Sequence, residues 1–421
     1  MTTAVAGMVI VGAGECGTRA AFALRKAGWS GVITLIGAEH ASPYERPPLS
    51  KASITSVELP ALTSICDDAA LAAADIDFIP GVEATHIDRD AHAVLLADGR
   101  RIGYQRLLLA TGANARRLPL PGGAAEDVLY LRNHTDVVAI RERLRPGAVI
   151  GVVGGGFIGL EIAGGAVSRG CNVTVIEFAP RLMGRVVPPE IADLVADRHA
   201  GAGITLRLGV GVAGLAQHDG RTVIELTDST SVDVDAVVAG VGSFPETTLA
   251  ARAGLEIENG IRVDDRLTTS DQHIFAAGDC CSFPHGLYGG RRIRLESWRN
   301  AQDQGAAAAR NMLGADVPFE VVPWFWSDQH DLSLQIAGLP DAATSTVVRR
   351  RPDGVEIRFG LDAAGRLVAA SAIGVGNAVA KDIRLAEMLI ARRAHPNPAV
   401  LADPAGNLKN LLKDHPERAA Q

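Results

Sequence analysis

The stretch Ile150–Glu177, IGVVGGGFIGLEIAGGAVSRGCNVTVIE, continues an apolar strand (Val149–Val153) into a glycine turn, a small-residue helix and a second strand that ends on an acid. Gly154, Gly156 and Gly159 fit G-x-G-x-x-G. In that pattern the first glycine permits the tight turn, the second lets backbone approach a pyrophosphate, and the third lets helix pack on strand. The helix N-terminus adds unpaired N–H groups and the positive end of its dipole. Glu177 is placed to accept hydrogen bonds from an adenosine ribose. A carboxylate there repels a 2′-phosphate, so it favours NAD(H) over NADP(H). A glycine pattern alone says little. Strand, turn, helix, strand and terminal acid together predict a Rossmann-like dinucleotide site.

The same unit stands at the N-terminus. Met8–Val11 reads as a strand, Gly12, Gly14 and Gly17 form a second G-x-G-x-x-G, Thr18–Ala27 is helical, and Val32–Ile36 is the next strand. Here the acid is offset: Gly37 and Ala38 follow the strand before Glu39, the candidate for the ribose. Each unit continues alike. Asp98-Gly99 marks a hairpin before the strand Leu107–Thr111, and Asp219-Gly220 marks one before Ala236–Val241. Two complete fingerprints argue against duplication for structure alone and imply two dinucleotides, of which one can be a tightly held flavin and the other an exchanging nicotinamide.

With 421 residues, 47% hydrophobic and 21% charged, the chain is expected to form two or three globular domains. A formal net charge of −7 argues against nonspecific nucleic-acid binding. No apolar run is long enough to span a membrane. The start, MTTAVAGMVIVGAG, has no charged n-region and runs directly into a strand, so no signal peptide is expected there. The five cysteines (Cys16, Cys66, Cys171, Cys280, Cys281) form no C-x-x-C and fit a reducing cytoplasm. No His/Cys/Asp cluster has metal spacing, so no metal is expected.

Further along, His273–Ala277 reads as a strand ending on Gly278-Asp279. Asp279 is either a hydrogen-bond partner for a flavin's ribityl chain or a helix N-cap; behind a first glycine unit, the flavin reading is preferred. In Ser42–Lys51, SPYERPPLSK, prolines fix an extended loop. Its Arg46 and Lys51 are either cations beside the first nucleotide site or solvated surface charges. From Pro323 the composition changes. PWFWSDQ precedes strand-like runs at Leu332–Ala337, Thr346–Arg350, Val355–Phe359 and Leu367–Ile373, with a hairpin at Asp353-Gly354. An amphipathic helix, Ala380–Arg392, and a proline-containing tail follow. The fold expected is α/β: two Rossmann-like domains plus a small α+β C-terminal domain. The expected boundaries are 1–116 and 246–322 for the flavin domain, 117–245 for the NAD domain and 323–421 for the last.

The pieces PYERPPLSK (Pro43–Lys51), VVGGGFIGLE (Val152–Glu161), IFAAGD (Ile274–Asp279), ESWRNAQDQG (Glu296–Gly305) and PWFWSDQ (Pro323–Gln329) carry a family resemblance. The chain resembles, over almost its whole length, the FAD-dependent ferredoxin reductases that serve bacterial Rieske-type dioxygenases and haem-thiolate monooxygenases. These lie within the glutathione-reductase-like fold and lack its redox disulfide. The resemblance implies that FAD lies across Gly12, Gly14 and Gly17, with Cys16 and Glu39 on the adenosine side. It implies Arg46 at the phosphates, the backbone of Ala84 at the adenine, and Thr111, Gly112, Arg132 and Asp279 completing the cradle. Lys51 would sit near flavin N5 and pair with Glu161, which would border the nicotinamide amide. Trp298 would lie beside the isoalloxazine and nicotinamide, Trp326 at the flavin edge toward an iron–sulfur partner, and Gly242 and Glu296 would add cofactor contacts. Ala38 departs from the family pattern, which often has an acid there, and Gly242–Ala250 (GSFPETTLA) departs mildly from the usual Pro-Asn form.

The implied reaction is hydride transfer from NADH C4 to FAD N5, then two one-electron transfers to [2Fe–2S] ferredoxins and, indirectly, to a terminal oxygenase. The Lys51–Glu161 pair serves either that reaction or a structural salt bridge. Two alternatives remain: an NADH oxidase or peroxide reductase, which wants a redox cysteine by the flavin, and a low-turnover redox-sensing flavoprotein. A disulfide reductase needs a thiol pair one helical turn apart, and the first helix offers only Cys16. Adjacent Cys280 and Cys281 do not span disulfide geometry without strain and are read as small-residue packing. Ferredoxins are commonly acidic, so Arg291, Arg292 and Arg294, with Arg349–Arg351 and Arg392–Arg393, are candidates for a basic docking face, or are scattered solubility charges. Neither nucleic acid nor membrane is an expected partner, and a monomer and a homodimer are both compatible with the sequence.

Overall fold

The computed structural model describes residues 6–120, 127–184 and 186–414. The chain divides into two compact units. The first takes residues 1–45, 62–114 and 243–321; the second takes 46–61, 115–242 and 322–421.

In the first unit a parallel sheet runs in the order Asp77–Ile79, Ile33–Ile36, Gly7–Val11, Arg101–Leu109 and Ile274–Ala276. At its centre Gly7–Val11 and Leu107–Leu109 are apolar and buried throughout, as a parallel sheet covered on both faces requires; Ile10, Leu35 and Leu108 are fully buried. The long strand Arg101–Leu109 does double duty. Its first half pairs antiparallel with Ala93–Leu96, which pairs with Ala84–Asp88, and its second half joins the parallel sheet. The helix Glu15–Lys26 covers the sheet and packs on Trp298–Met312. A Cβ at Gly305 would lie 2.3 Å from the Cys16 carbonyl, so that crossing depends on a missing side chain.

The second unit repeats the plan. Thr205–Leu208, Asn172–Glu177, Val149–Val153, Ala236–Ala239 and Val128–Tyr130 form a parallel sheet in that order. A meander of Val212–His218, Arg221–Leu226 and Ser231–Val234 follows. In both units the chain order places the first strand between the second and a returning strand, with the glycine turn at the carboxyl end where dinucleotides bind.

The same unit holds the C-terminal sheet: Trp324–Gln329, Leu332–Gly338, Leu367–Val375, Glu356–Leu361 and Ser345–Arg350, all antiparallel, with Ala380–Ala391 packed on it. PWFWSDQ is therefore the opening strand of this sheet, an assignment that its tryptophans obscured in the sequence. Two short helices, Pro398–Ala402 and Leu408–Asp414, occupy the tail, whose last residues lie outside the described ones.

The helix Phe157–Ser168 is the organising element of the second unit. Its adjacent Gly164 and Gly165 let two other segments close on it. A Cβ at Gly165 would lie 2.5 Å from Ile54, and one at Gly164 would lie 3.3 Å from His330. Arg141 and Arg169 then fasten the 52–56 segment through its carbonyls, with bonds of 2.6 Å to Ser53 and 2.8 Å to Ser56.

Candidate dinucleotide and redox site

The first glycine turn has the geometry its spacing predicts. Gly12 adopts φ +112°, and a Cβ there would lie 2.1 Å from the Ala110 carbonyl. Gly17 likewise sits 1.9 Å (as a notional Cβ) from the Gly12 carbonyl, the close packing of helix on turn. Gly14 is different: a Cβ there meets nothing within 4 Å. As the N-cap of Glu15–Lys26 it provides no side-chain cap for the first-turn N–H groups. A tight turn with its middle glycine uncovered fits a pyrophosphate. One feature was not read from the sequence. Glu15, in that first turn, is buried and accepts bonds from Arg19 (2.7 Å) and Gln302 (2.6 Å), which offset its charge next to the turn.

The other expected flavin-side residues of the first unit are Cys16, Glu39, Ala84, Thr111, Gly112, Asp279, Glu296 and Trp298. Glu39 accepts a 2.5 Å bond from the Tyr44 hydroxyl. Ala84 is buried at the start of its strand. Thr111 donates to the Glu246 carbonyl at 2.6 Å, and Gly112, at φ +73°, accepts from Glu246 N–H at 2.9 Å. The strand Ile274–Ala276 leads into a single turn, Gly278–Cys280, that carries Asp279. Gln304, a residue that sequence reasoning passed over, holds this turn by accepting from Gly278 N–H at 2.7 Å. Cys16 packs against it, 3.1 Å from a notional Gly278 Cβ. Trp298 opens its helix behind the cap Ser297, and Glu296 pairs with Arg294.

The second turn repeats the first. Gly154 (φ +106°) and Gly159 would clash through a Cβ with the carbonyls of Gly240 and Gly154, at 2.4 and 2.2 Å, while Gly156 has only one distant neighbour. Gly242 adopts φ +102° and accepts from Arg116 N–H. Glu177 ends its strand, and its carboxylate accepts from Gly155 N–H at 2.6 Å and Ala179 N–H at 2.7 Å. The acid is thus fixed at the lip of the turn. Glu177→Ala is expected to shift the NADH/NADPH efficiency ratio at least about tenfold toward NADPH, because the charge that repels a 2′-phosphate is gone. Steady-state kinetics with both nucleotides measures this, and an unchanged ratio would remove Glu177 from the choice.

Lys51 and Glu161 meet within the second unit. Lys51 Nζ lies 2.6 Å from Glu161 Oε1 and 3.0 Å from Asp328 Oδ2, and 5.9 Å from the Trp326 ring centroid. The Glu161 side chain is 7% exposed and that of Lys51 22%. Glu161 also accepts from the Ser50 hydroxyl at 2.5 Å and the Ser327 hydroxyl at 2.6 Å. Ser50, Ser327 and Asp328 went unread in the sequence, although PPLSK and PWFWSDQ contain them. Trp326 stacks on Trp324 at 5.4 Å. Arg46 donates to the Arg132 backbone carbonyl at 2.8 Å.

Behind this cluster His199 is fully buried, with Nε2 2.9 Å from Gln329 Oε1. Burial pushes its pKa down to about 4, against a smaller upward pull from the Gln329 bond and with a further downward push from His330. The folded protein therefore binds fewer protons here than the unfolded chain between about pH 4 and 6.5. Stability is whole above that window and drains as pH falls through it, by on the order of 3 kcal/mol. His199→Gln is expected to flatten the acid limb of the stability–pH curve, measured by urea denaturation; parallel curves would contradict it.

Two expectations meet the structure differently. All five cysteines are free thiols, and burial is the leading cause that raises the pKa of each, Cys66 to about 11. None has the depressed pKa of a redox nucleophile. The candidate basic docking face keeps the exposed Arg291 and Arg350 but loses three other members to internal bonds. Arg349 is 2% exposed and donates to the carbonyls of Leu401, Gly406 and Val400, tying its strand to the tail. Arg292 similarly donates to Val263 and Ser282 carbonyls, and Arg392 to Leu412. These arginines are structural.

Among the described residues no helix is long and apolar enough to cross a membrane, and no group of His, Cys, Asp or Glu is placed to hold a metal ion. Two glycine turns on parallel sheets are the frame of a two-dinucleotide oxidoreductase, and here all five cysteines are free thiols. The chain belongs to the pyridine nucleotide-disulphide oxidoreductase family, whose model matches residues 7–305, and residues 324–412 match the reductase C-terminal domain. It is 41% identical over 405 residues to the ferredoxin–NAD(+) reductase component of the anthranilate 1,2-dioxygenase system of Burkholderia cepacia, covering 96% of this chain and 98% of that one. It is 38% identical over 348 residues to putidaredoxin reductase of Pseudomonas putida, covering 81% and 82%. The crystal structure of a covalent putidaredoxin reductase–putidaredoxin complex superposes with a TM-score of 0.90 at 34% identity, covering 98% of this chain and 99% of that chain.

Proposed function

We propose that this chain is an NADH-dependent ferredoxin reductase: it takes a hydride from NADH onto FAD and passes the two electrons singly to [2Fe–2S] ferredoxins that feed an oxygenase. The observation that carries the reading is a pair of complete dinucleotide turns in one chain that has no activated thiol, so electrons taken from a nicotinamide have no disulfide to enter. The 41% identity with a dioxygenase-system reductase across 96% of the chain supports it. FAD, when bound, supplies the conversion between two-electron and one-electron chemistry.

The chain's own residues bind, orient and set charge. Gly12, Gly14 and Gly17 with the helix behind them would hold the FAD pyrophosphate, Glu39 its ribose, and Asp279 its ribityl chain, with Thr111, Gly112, Ala84, Trp298 and Glu296 completing the contacts of the first unit. Gly154, Gly156, Gly159, Glu177 and Gly242 would hold NADH. Lys51 would provide a fixed ammonium to offset negative charge gained in the reduction, since a pre-placed cation costs little reorganisation. Glu161 orients that ammonium and would border the nicotinamide amide. Per turnover, one NADH loses a hydride, two ferredoxins each gain one electron, and one proton is released. Reduced thiols throughout are consistent with a cytoplasmic setting.

The test is anaerobic. Titration with NADH should bleach a flavin absorption band, and added oxidised [2Fe–2S] ferredoxin should restore it while becoming reduced. Bleaching with no transfer to any of several ferredoxins points to an oxidase or redox sensor. Absence of flavin after reconstitution would sink the two-dinucleotide reading.

A further inference from the structure

Behind Glu161 lies a line of buried polar side chains that the reaction as described does not use. Along the strand Trp324–Gln329 alternate residues take opposite faces. Phe325, Ser327 and Gln329 face the helix Phe157–Ser168, with Phe325 and Phe157 rings 4.4 Å apart, while Trp326 and Asp328 approach Lys51. Ser327, Gln329 and His199 are at most 1% exposed. Such groups are costly in a core unless their bonds are satisfied in one consistent arrangement.

The arrangement has a direction. Gln329 Nε2 lies 3.5 Å from the Phe157 carbonyl and 2.8 Å from Ser327 Oγ. A flipped amide would set carbonyl against carbonyl, so the nitrogen faces Phe157 and Ser327, and Oε1 accepts from His199 Nε2–H at 2.9 Å. With one side taken by Gln329 as donor, Ser327 spends its single proton on Glu161 Oε1 at 2.6 Å. Lys51 and Ser50 add theirs at 2.6 and 2.5 Å. Every donor thus points at Glu161. An amide in the line has no proton to pass on at ordinary pH, so the line orients and does not conduct.

We propose that Ser327, Gln329 and His199 are positioning residues that hold the Glu161 carboxylate, and through it the Lys51 ammonium, in the orientation that recognises the nicotinamide end of the dinucleotide. This rests on the role given to Glu161 under the proposed function. It assigns to the C-terminal sheet a part in nicotinamide recognition, since two of the three residues come from its first strand.

The test compares NAD+ with ADP-ribose, which has the same adenosine and pyrophosphate but no nicotinamide, by titration calorimetry on the flavin-containing protein. Ser327→Ala and Gln329→Leu should each weaken NAD+ about five- to tenfold while changing ADP-ribose less than about twofold, the scale of one ordinary hydrogen bond's net contribution. Gln329→Glu, which still accepts from His199 but cannot donate to Ser327, should behave like Gln329→Leu. In a Glu161→Gln background Ser327→Ala should add less than about twofold, because the two act on one group. Equal loss of both ligands in Ser327→Ala would mean general damage and overturn the proposal. So would an unchanged NAD+ to ADP-ribose ratio in Ser327→Ala and Gln329→Leu when Glu161→Gln has shifted it. If Glu161→Gln itself leaves the ratio alone, both the proposal and the assigned role of Glu161 fall. Wild type that binds neither nucleotide would count instead against the reductase reading.

Discussion

Lys51→Met should slow reduction of the bound flavin by saturating NADH about 10²- to 10³-fold, the usual scale for losing one pre-placed charge partner in a sheltered site. The Lys51 ammonium is fixed between two carboxylates, Glu161 at 2.6 Å and Asp328 at 3.0 Å, and its segment is fastened by Arg141 and Arg169. It therefore needs no rearrangement to meet charge delivered with a hydride. The competing account is a salt bridge that only ties the 46–61 segment to the helix carrying Glu161. Both accounts predict lower stability, since Glu161 would be left buried without its cation at a cost of about 3–5 kcal/mol. They part on the rate. The double variant Lys51→Met with Glu161→Gln removes both charges and should recover much of the stability while remaining slow in anaerobic stopped-flow. A double variant that is both stable and fast would make the pair purely structural.

What the sequence made legible follows physical range. The two strand–turn–helix units were readable because glycine spacing, apolar runs and terminal acid all act within about thirty residues. Edges moved only slightly: Ala236–Val241 ends at Ala239, where Gly240 backs onto the Gly159 backbone. The Lys51–Glu161 contact joins residues 110 apart, and no local pattern encodes it. Only family resemblance suggested it. Ser50, Ser327 and Asp328 were invisible for the same reason, though they lie inside quoted motifs. In PWFWSDQ, aromatic residues on both faces hide the alternation that would have marked a strand with serine and glutamine turned inward. The arginine run shows the opposite error. Read as surface charge, Arg349–Arg351 lies at the end of a strand, and alternation buries Arg349 while the Arg350 side chain stays 72% exposed. A positive charge inside was not anticipated because its partners are three carbonyls of the tail, far along the chain.

The glycines of the first turn make a sharper test, because the fold requires two of them and leaves the third open. Gly12 and Gly17 would drive a Cβ to 2.1 and 1.9 Å from backbone oxygens, and Gly12 also needs φ +112°. Alanine at either position should cost stability directly. Gly14 has φ −79°, which any residue adopts, and no atom within 4 Å of a notional Cβ. Gly14→Val should therefore fold with a Tm close to that of flavin-free wild type. Its flavin content should nevertheless fall at least about tenfold, because the added methyl groups occupy the approach that the middle glycine leaves open for a pyrophosphate. Comparing against flavin-free wild type matters, since bound cofactor alone raises Tm by mass action. Flavin-to-protein absorbance ratios and thermal melts on the three variants decide the matter. Retention of a full flavin complement by Gly14→Val would show that the pyrophosphate does not pass over this turn. A Gly14→Val protein that fails to fold would mean the position has a packing role that the open space around it does not reveal.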